Sequence, residues 1–240
     1  MWYNLPPTMT QQQQISIPTS EELELLFRSG DMESLGEGRR RHCYRIPGHM
    51  LCVKAYRRDD ELPTSEKASV RREIAKSRFS EKDNTSCKEW MYYQSLKKRL
   101  TPDLMSVFPS VLERVPTPTL GWCLVEELIC NEDGSPSVSV ESEFRRRPWR
   151  DGQSFIAKAL KAVEALGDEL SRHCVRFYDP PNILVQTAKD DTFRLRIADF
   201  EPEPRTFISL DALCPLFVRL KVRRRFSRYL KRLDEWRFRA

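Results

Sequence analysis

The sequence predicts an α+β fold in two lobes: a five-stranded antiparallel sheet with its helices in the first half, and a smaller, mainly helical second half. Three observations carry this reading. Residues 35–56 (L-G-E-G-R-R-R-H-C-Y-R-I-P-G-H-M-L-C-V-K-A-Y) alternate β-prone runs with glycine turns, as successive hairpin strands do. Residues 153–173 place apolar side chains at 155, 156, 159, 160, 163, 166 and 170, the spacing of one helix face. Residues 183–199 hold two short apolar, β-branched runs around Lys189, Asp190 and Asp191, which read as a hairpin turn.

Length and composition bound what this fold can do. A chain of 240 residues suffices for one large domain or two small lobes with a core. Its 40% hydrophobic and 32% charged content is that of an ordinary globular chain. No apolar run approaches the ~18–20 residues of a membrane span, so no transmembrane segment is expected. The first residues lack the basic start and apolar stretch of a secretory signal. Seven scattered cysteines without a C-x-x-C pair, beside three histidines, argue against a disulfide framework or a zinc site. They fit thiols used as small hydrophobes in a reducing compartment, and hence a cytoplasmic location. The net charge of +6 is uneven: residues 205–240 carry 11 Lys and Arg against 3 Asp and Glu. An anionic partner should therefore be met mainly there.

In chain order, residues 1–18 are polar, with three prolines and a glutamine run, and read as a disordered leader. Thr19-Ser20-Glu21-Glu22 is a capping box that starts a helix through Phe27. The strands and glycine turns of 35–56 follow. Residues 57–86 are highly charged and read as a mobile loop with a helical portion. Residues 87–100 have helical spacing, and Pro102 closes that helix. Residues 107–115 and 122–128 read as two strands, and 135–148 as a polar loop. The amphipathic helix of 153–173 ends near His173, which suits a C-terminal cap. Residues 209–237 read as one or two helices with Leu230, Leu233 and Trp236 on one face. The basic side chains at 219–232 are then either a solvated outer face or a surface for a protein partner, anionic lipid or nucleic acid.

Residues 175–185 (V-R-F-Y-D-P-P-N-I-L-V) with I-A-D-F at 197–200 resemble the catalytic loop and metal-binding hairpin of protein kinases and related phosphotransferases. On that resemblance Asn182 and Asp199 are ligands of Mg²⁺, a hard cation that takes oxygen donors. The residue-level alternative for Asn182 is a cap on backbone groups in a proline-rich turn. Kinases carry an Asp five residues before the Asn to accept the substrate's proton, and Phe177 stands there. Asp179, two residues on, is the remaining candidate base. The resemblance extends upstream. Gly36 and Gly38 let a loop backbone approach phosphate, with Arg41 in place of the third glycine. Lys54 matches the strand lysine that reaches the phosphates, and Glu89 its helix partner, against the alternative of a solvated helix glutamate. Residues 126–134 stand where the hinge backbone meets adenine, which implicates Glu127 and Ile129.

More narrowly, L-G-x-G-R-x-R-x-C-Y, C-x-K, E-x-x-Y-Y-x-x-L-x-x-R-L and P-x-N-I-L resemble the PhoP regulatory network protein YrbL family of bacteria. That family also lacks the catalytic Asp, in agreement with Phe177. The resemblance implies a kinase-like N-lobe over residues 19–130 and a reduced C-lobe over 131–240. It implies a nucleotide-binding, pseudokinase-like regulatory protein that uses ATP and Mg²⁺. Two other readings stay open: an active atypical phosphotransferase on a small molecule or protein, and a nucleotide-independent module acting through its basic C-terminus. Beyond Asp199 the chain departs from kinases, with Glu201 at the Gly of D-F-G and a stiff E-P-E-P run after it.

Overall fold

The structure, a computed structural model, describes residues 16–38, 40–58, 62, 68–146, 149–188, 192–200 and 215–237. They fall into two compact units. Of the described residues, a sheet unit takes those from 16 to 95 together with 109–129. A helical unit takes 96–108 and everything from 130 onward.

The sheet unit is built on five antiparallel strands: β1 (Glu33–Glu37), β2 (Arg41–Arg45), β3 (Leu51–Tyr56), β4 (Val111–Thr117) and β5 (Gly121–Glu127), in the order β1-β2-β3-β5-β4. Alternation along the strands gives the sheet two unlike faces. Ile46, Leu51, Val53, Ala55, Val115, Cys123 and Val125 form the apolar one. Helix α1 (Ser20–Ser29) covers it with Leu23, Leu26 and Phe27. The capping box read from the sequence is formed, with Thr19 and Glu22 satisfying each other's backbone donors, and the helix ends at Gly30 with φ +75°. Glu24, buried on α1, accepts from both the amide and the hydroxyl of Thr119 in the β4–β5 turn. That clasp fixes the helix against the sheet.

The other face carries Arg41, Cys43, Cys52, Lys54, Tyr56, Leu124 and Glu126, as the pairings Cys43↔Lys54, Arg45↔Cys52, Cys52↔Glu126 and Lys54↔Leu124 require. Helix α2 (Ala68–Arg78) forms within the charged stretch expected to be partly helical. Helix α3 (Thr85–Lys97) lies over the charged face. It begins earlier than its apolar spacing suggests because Asn84 caps it, accepting from the Cys87 amide at 3.2 Å. Arg114 stacks between Trp90 of α3 and Trp122 of β5, 4.9 and 5.0 Å from the ring centres.

The helical unit contains α4 (Pro102–Met105), α5 (Val140–Arg146), α6 (Trp149–Arg172) and α7 (Pro215–Arg237), with a small sheet of β6 (Val138–Ser139), β7 (Ile183–Thr187) and β8 (Phe193–Ile197). The expected helix at 153–173 is α6, and its predicted stripe is buried at Phe155, Ile156, Ala159, Val163, Leu166 and Leu170. Helix α7 packs on it through Val218, Val222, Phe226, Tyr229 and Leu233. Gly167 is needed there, since a Cβ at that position would lie 2.4 Å from the Phe226 ring.

Several local expectations are corrected. Pro102 opens a helix instead of merely closing one, because Thr101 caps the Leu104 amide and proline suits a first turn. The strand expected at 107–115 begins only at Val111. Pro109 interrupts the run, and Val107 instead accepts from the Ile197 amide beside β8. Residues 135–148 are no simple loop: Ser139 caps α5 at the Ser142 amide, and Val140 and Phe144 are buried. The buried stripe of α7 runs through Tyr229 and Leu233, while Leu230 is half-buried. The side chain of Trp236, the 189–191 turn, the E-P-E-P run and most of the leader lie outside the described residues. No helix among the described residues is long and apolar enough to cross a membrane.

Candidate functional site

Lys54 sits mid-strand on β3, so its side chain must leave the sheet on the face that α3 covers. There its Nζ lies 2.8 Å from Glu89 Oε1 and 2.9 Å from Glu126 Oε1. The expected Lys54–Glu89 pairing is therefore formed, and Glu89 is fully buried rather than solvated. Arg41 points into the same space, 2.8 Å from Glu89 Oε2. That contact is an ion pair without an aligned hydrogen bond. Arg41 also donates to Ser86 Oγ at 3.4 Å. Arg40 pairs with Glu73 of α2. The arginine at the third-glycine position is thus drawn into the interior.

Burial is the main force on Glu126 and raises its carboxyl to about 7; Glu89 adds to the rise, and Lys54 and Arg41 oppose it. Beside it, the hydrogen bond with Cys43 and burial push the Cys52 thiol well above its ordinary value. Gly36 lies at a register slip in β1, and Gly38 donates its amide to Arg41 O, where a Cβ would come within 2.9 Å of that oxygen. Glu127 exchanges hydrogen bonds with Ser110, through its amide and its carboxylate, and Ile129 is buried.

In the helical unit, α6 ends with Cys174 in the left-handed region at φ 51°, and the chain turns into residues 175–182. Phe177, where a kinase carries its base, is 1% exposed and packs edge-on against Phe226 at 6.1 Å. It is a core residue. A short 3₁₀ turn (Pro180–Asn182) then brings Asn182 Nδ2 to 3.2 Å from Asp179 Oδ2. The Ala198 amide donates to the Asn182 carbonyl at 2.9 Å, which places Asp199 beside this turn. Asp179, Asn182 and Asp199 are thereby gathered. Burial raises the Asp179 carboxyl, the negative charge of Asp199 adds to the rise, and Arg225 and Arg232 oppose it. No group of three or more His, Cys, Asp and Glu residues is placed to hold a metal among the described residues. Two carboxylates and one amide do suit a hard divalent cation that keeps other oxygen ligands, and such a charge would relieve their repulsion.

The family described as PhoP regulatory network protein YrbL matches residues 29–234. The chain belongs to that family. Among solved structures, the BubR1 kinase domain is similar over 71% of this chain and 45% of that one, at 12% identity and a TM-score of 0.43. The chain thus spans under half of that structure. No curated protein matches it.

Within this YrbL-family chain, sequence reasoning missed Arg41 and Glu126 as partners of the lysine. Glu126 had a signal: it follows the apolar run C-L-V and shares phase with Leu124, so it had to point off the same face as Lys54.

Proposed function

We propose that this YrbL-family chain is a nucleotide-binding, pseudokinase-like regulatory protein, with ATP and Mg²⁺ as its ligands. The observation that carries this reading is the buried Lys54–Glu89 pair at 2.8 Å, the arrangement that presents a strand lysine to phosphate. Gly36 and Gly38 serve the phosphate loop in this reading, and the backbone at Glu127 and Ile129 serves the base. Asn182 and Asp199 hold the cation, which when bound neutralises phosphate charge. Regulation rather than turnover is favoured because the base position is the core residue Phe177.

A thermal-shift titration with ATP, with and without Mg²⁺, tests this. Ligand at ~100 times its Kd adds about 2.7 kcal/mol to the native state. Asp199→Ala should remove the Mg²⁺-dependent part more fully than Asn182→Ala, because a carboxylate brings a full charge and an amide only a carbonyl. Identical shifts in EDTA and in Mg²⁺ would sink the assignment of both residues.

Asp179 favours a second reading, an active phosphotransferase, since a raised carboxyl hydrogen-bonded to Asn182 is suited to proton transfer. Turnover with purified protein that is lost in Asp179→Asn separates the two.

Helix α7 supports a partner surface as well. Arg219, Lys221, Arg223 and Arg232 are engaged with the helical unit. Arg224, Arg228 and Lys231 are exposed on the helix, beyond exposed Leu216, Phe217 and Leu220. Changing these three cations to Gln should shift stability by only about 0.5 kcal/mol each. It should also abolish salt-sensitive binding to anionic liposomes. Undiminished binding by that variant would leave α7 a structural helix only.

A further inference from the structure

Arg41, Lys54, Glu89 and Glu126 bring two cations and two carboxylates together, with side chains 8%, 8%, 0% and 4% exposed. A phosphate that takes Lys54 as its counter-ion must loosen one of the two carboxylates now holding that ammonium. It also brings negative charge close to both carboxylates. In a space this dry, an uncompensated carboxylate is costly enough that it takes up a proton instead.

The geometry decides which carboxylate is neutralised. Without Lys54, Glu89 still faces the Arg41 guanidinium at 2.8 Å. Glu126 then keeps the Cys52 thiol, 3.8 Å from Oε1, as its hydrogen-bond donor, with the Arg41 charge as a weaker influence, and its Oε2 has no hydrogen-bond partner among the described residues. We propose that Glu126 is a proton-operated gate on Lys54: a phosphate-bearing ligand that engages Lys54 is bound together with one proton on Glu126. The inference rests on the nucleotide reading above and adds the regulation of that site.

The charged and titratable groups that act on Glu126 come from three elements. Lys54 and Cys52 face Glu126 from β3, Arg41 and the Cys43 that hydrogen-bonds Cys52 come from β2, and Glu89 comes from α3. Val111, opposite on β4, carries no charge. Burial already lifts the Glu126 carboxyl to about 7, so the exchange falls in the neutral range. Ligand binding raises that value further, and by reciprocity deprotonation of Glu126 weakens the ligand.

The test uses the full chain and ADP with Mg²⁺, measured by titration calorimetry from about pH 6 to about pH 8.5, with wild type beside Glu126→Gln. The titration of the nucleotide is common to both proteins and cancels in the ratio of their Kd values. That ratio should be flat below neutrality and rise about tenfold per pH unit above it, the slope of a single linked proton. Buffers of different ionisation enthalpy should show more proton uptake on binding for wild type than for the variant, whose exchange is that of the nucleotide alone. Nucleotide binding by the variant where wild type binds none also supports the gate. A constant ratio overturns the gate and leaves the nucleotide reading standing, whereas no binding by either protein overturns both. Should the variant not fold, ¹³C-glutamate NMR of the wild type reads the same carboxyl. Titration near neutrality that moves upward on adding ADP supports the gate. A Glu126 carboxylate ionised throughout about pH 5–8 overturns it.

Discussion

Glu89→Ala is expected to lower the stability of the sheet unit by about 3–5 kcal/mol, the usual cost of stranding a buried charge. Glu89 has no exposed surface, and two cations converge on it at 2.8 Å each. Its removal takes from Arg41 and Lys54 a carboxylate 2.8 Å from each, and burial already disposes the neighbouring Glu126 to accept a proton. The loss should be much smaller in an Arg41→Met, Lys54→Met background, because replacing buried ions by apolar groups of similar volume is often neutral. Urea unfolding of the four proteins reads this directly. A single-variant loss below about 1 kcal/mol would mean that water reaches these groups.

Phe177→Asp should fail as an attempt to restore a kinase base. Truncating a buried phenylalanine already costs about 3–5 kcal/mol, and Phe177 lies in the core against Phe226. The aspartate adds a carboxylate with no partner in that apolar setting, a further penalty. We expect Phe177→Ala to fold with lowered stability and Phe177→Asp to leave the helical unit unfolded, with no phosphotransfer gained. Native-like circular dichroism and an unchanged unfolding midpoint for Phe177→Asp would show that the position opens to solvent.

What was legible in the sequence was whatever local pattern dictates. The capping box at Thr19, the hairpin strands of 35–56 and the stripe of α6 all follow from spacing, and all are formed. The Lys54–Glu89 pair was legible only through resemblance, since 35 residues separate its members. Arg41 was not recognised as a partner of Glu89, because its position along the chain marks it only as the residue that replaces a loop glycine. Its place in β2, opposite Tyr56, turns it under α3. Helix α5 was missed because its first turn is polar and only Val140 and Phe144 are buried. The early start of β4 was misjudged because an apolar run was followed through Pro109, where a strand is readily interrupted.

The placement of Phe226 has a consequence for how the protein is made. Every residue of the sheet unit has been synthesised once position 129 is reached, so that unit can close while the rest of the chain is still being translated. The helical unit has no such independence. Phe177 and Gly167 both rest against Phe226, the Ser171 hydroxyl donates to the Arg219 carbonyl, and the Cys174 thiol donates to that of Pro215. The end of α6 and the turn after it therefore wait, with apolar surface uncovered, until α7 has been added. During that interval a nascent chain is most exposed to aggregation and to chaperone capture, and truncation before Phe226 should yield an insoluble product while the sheet unit remains folded.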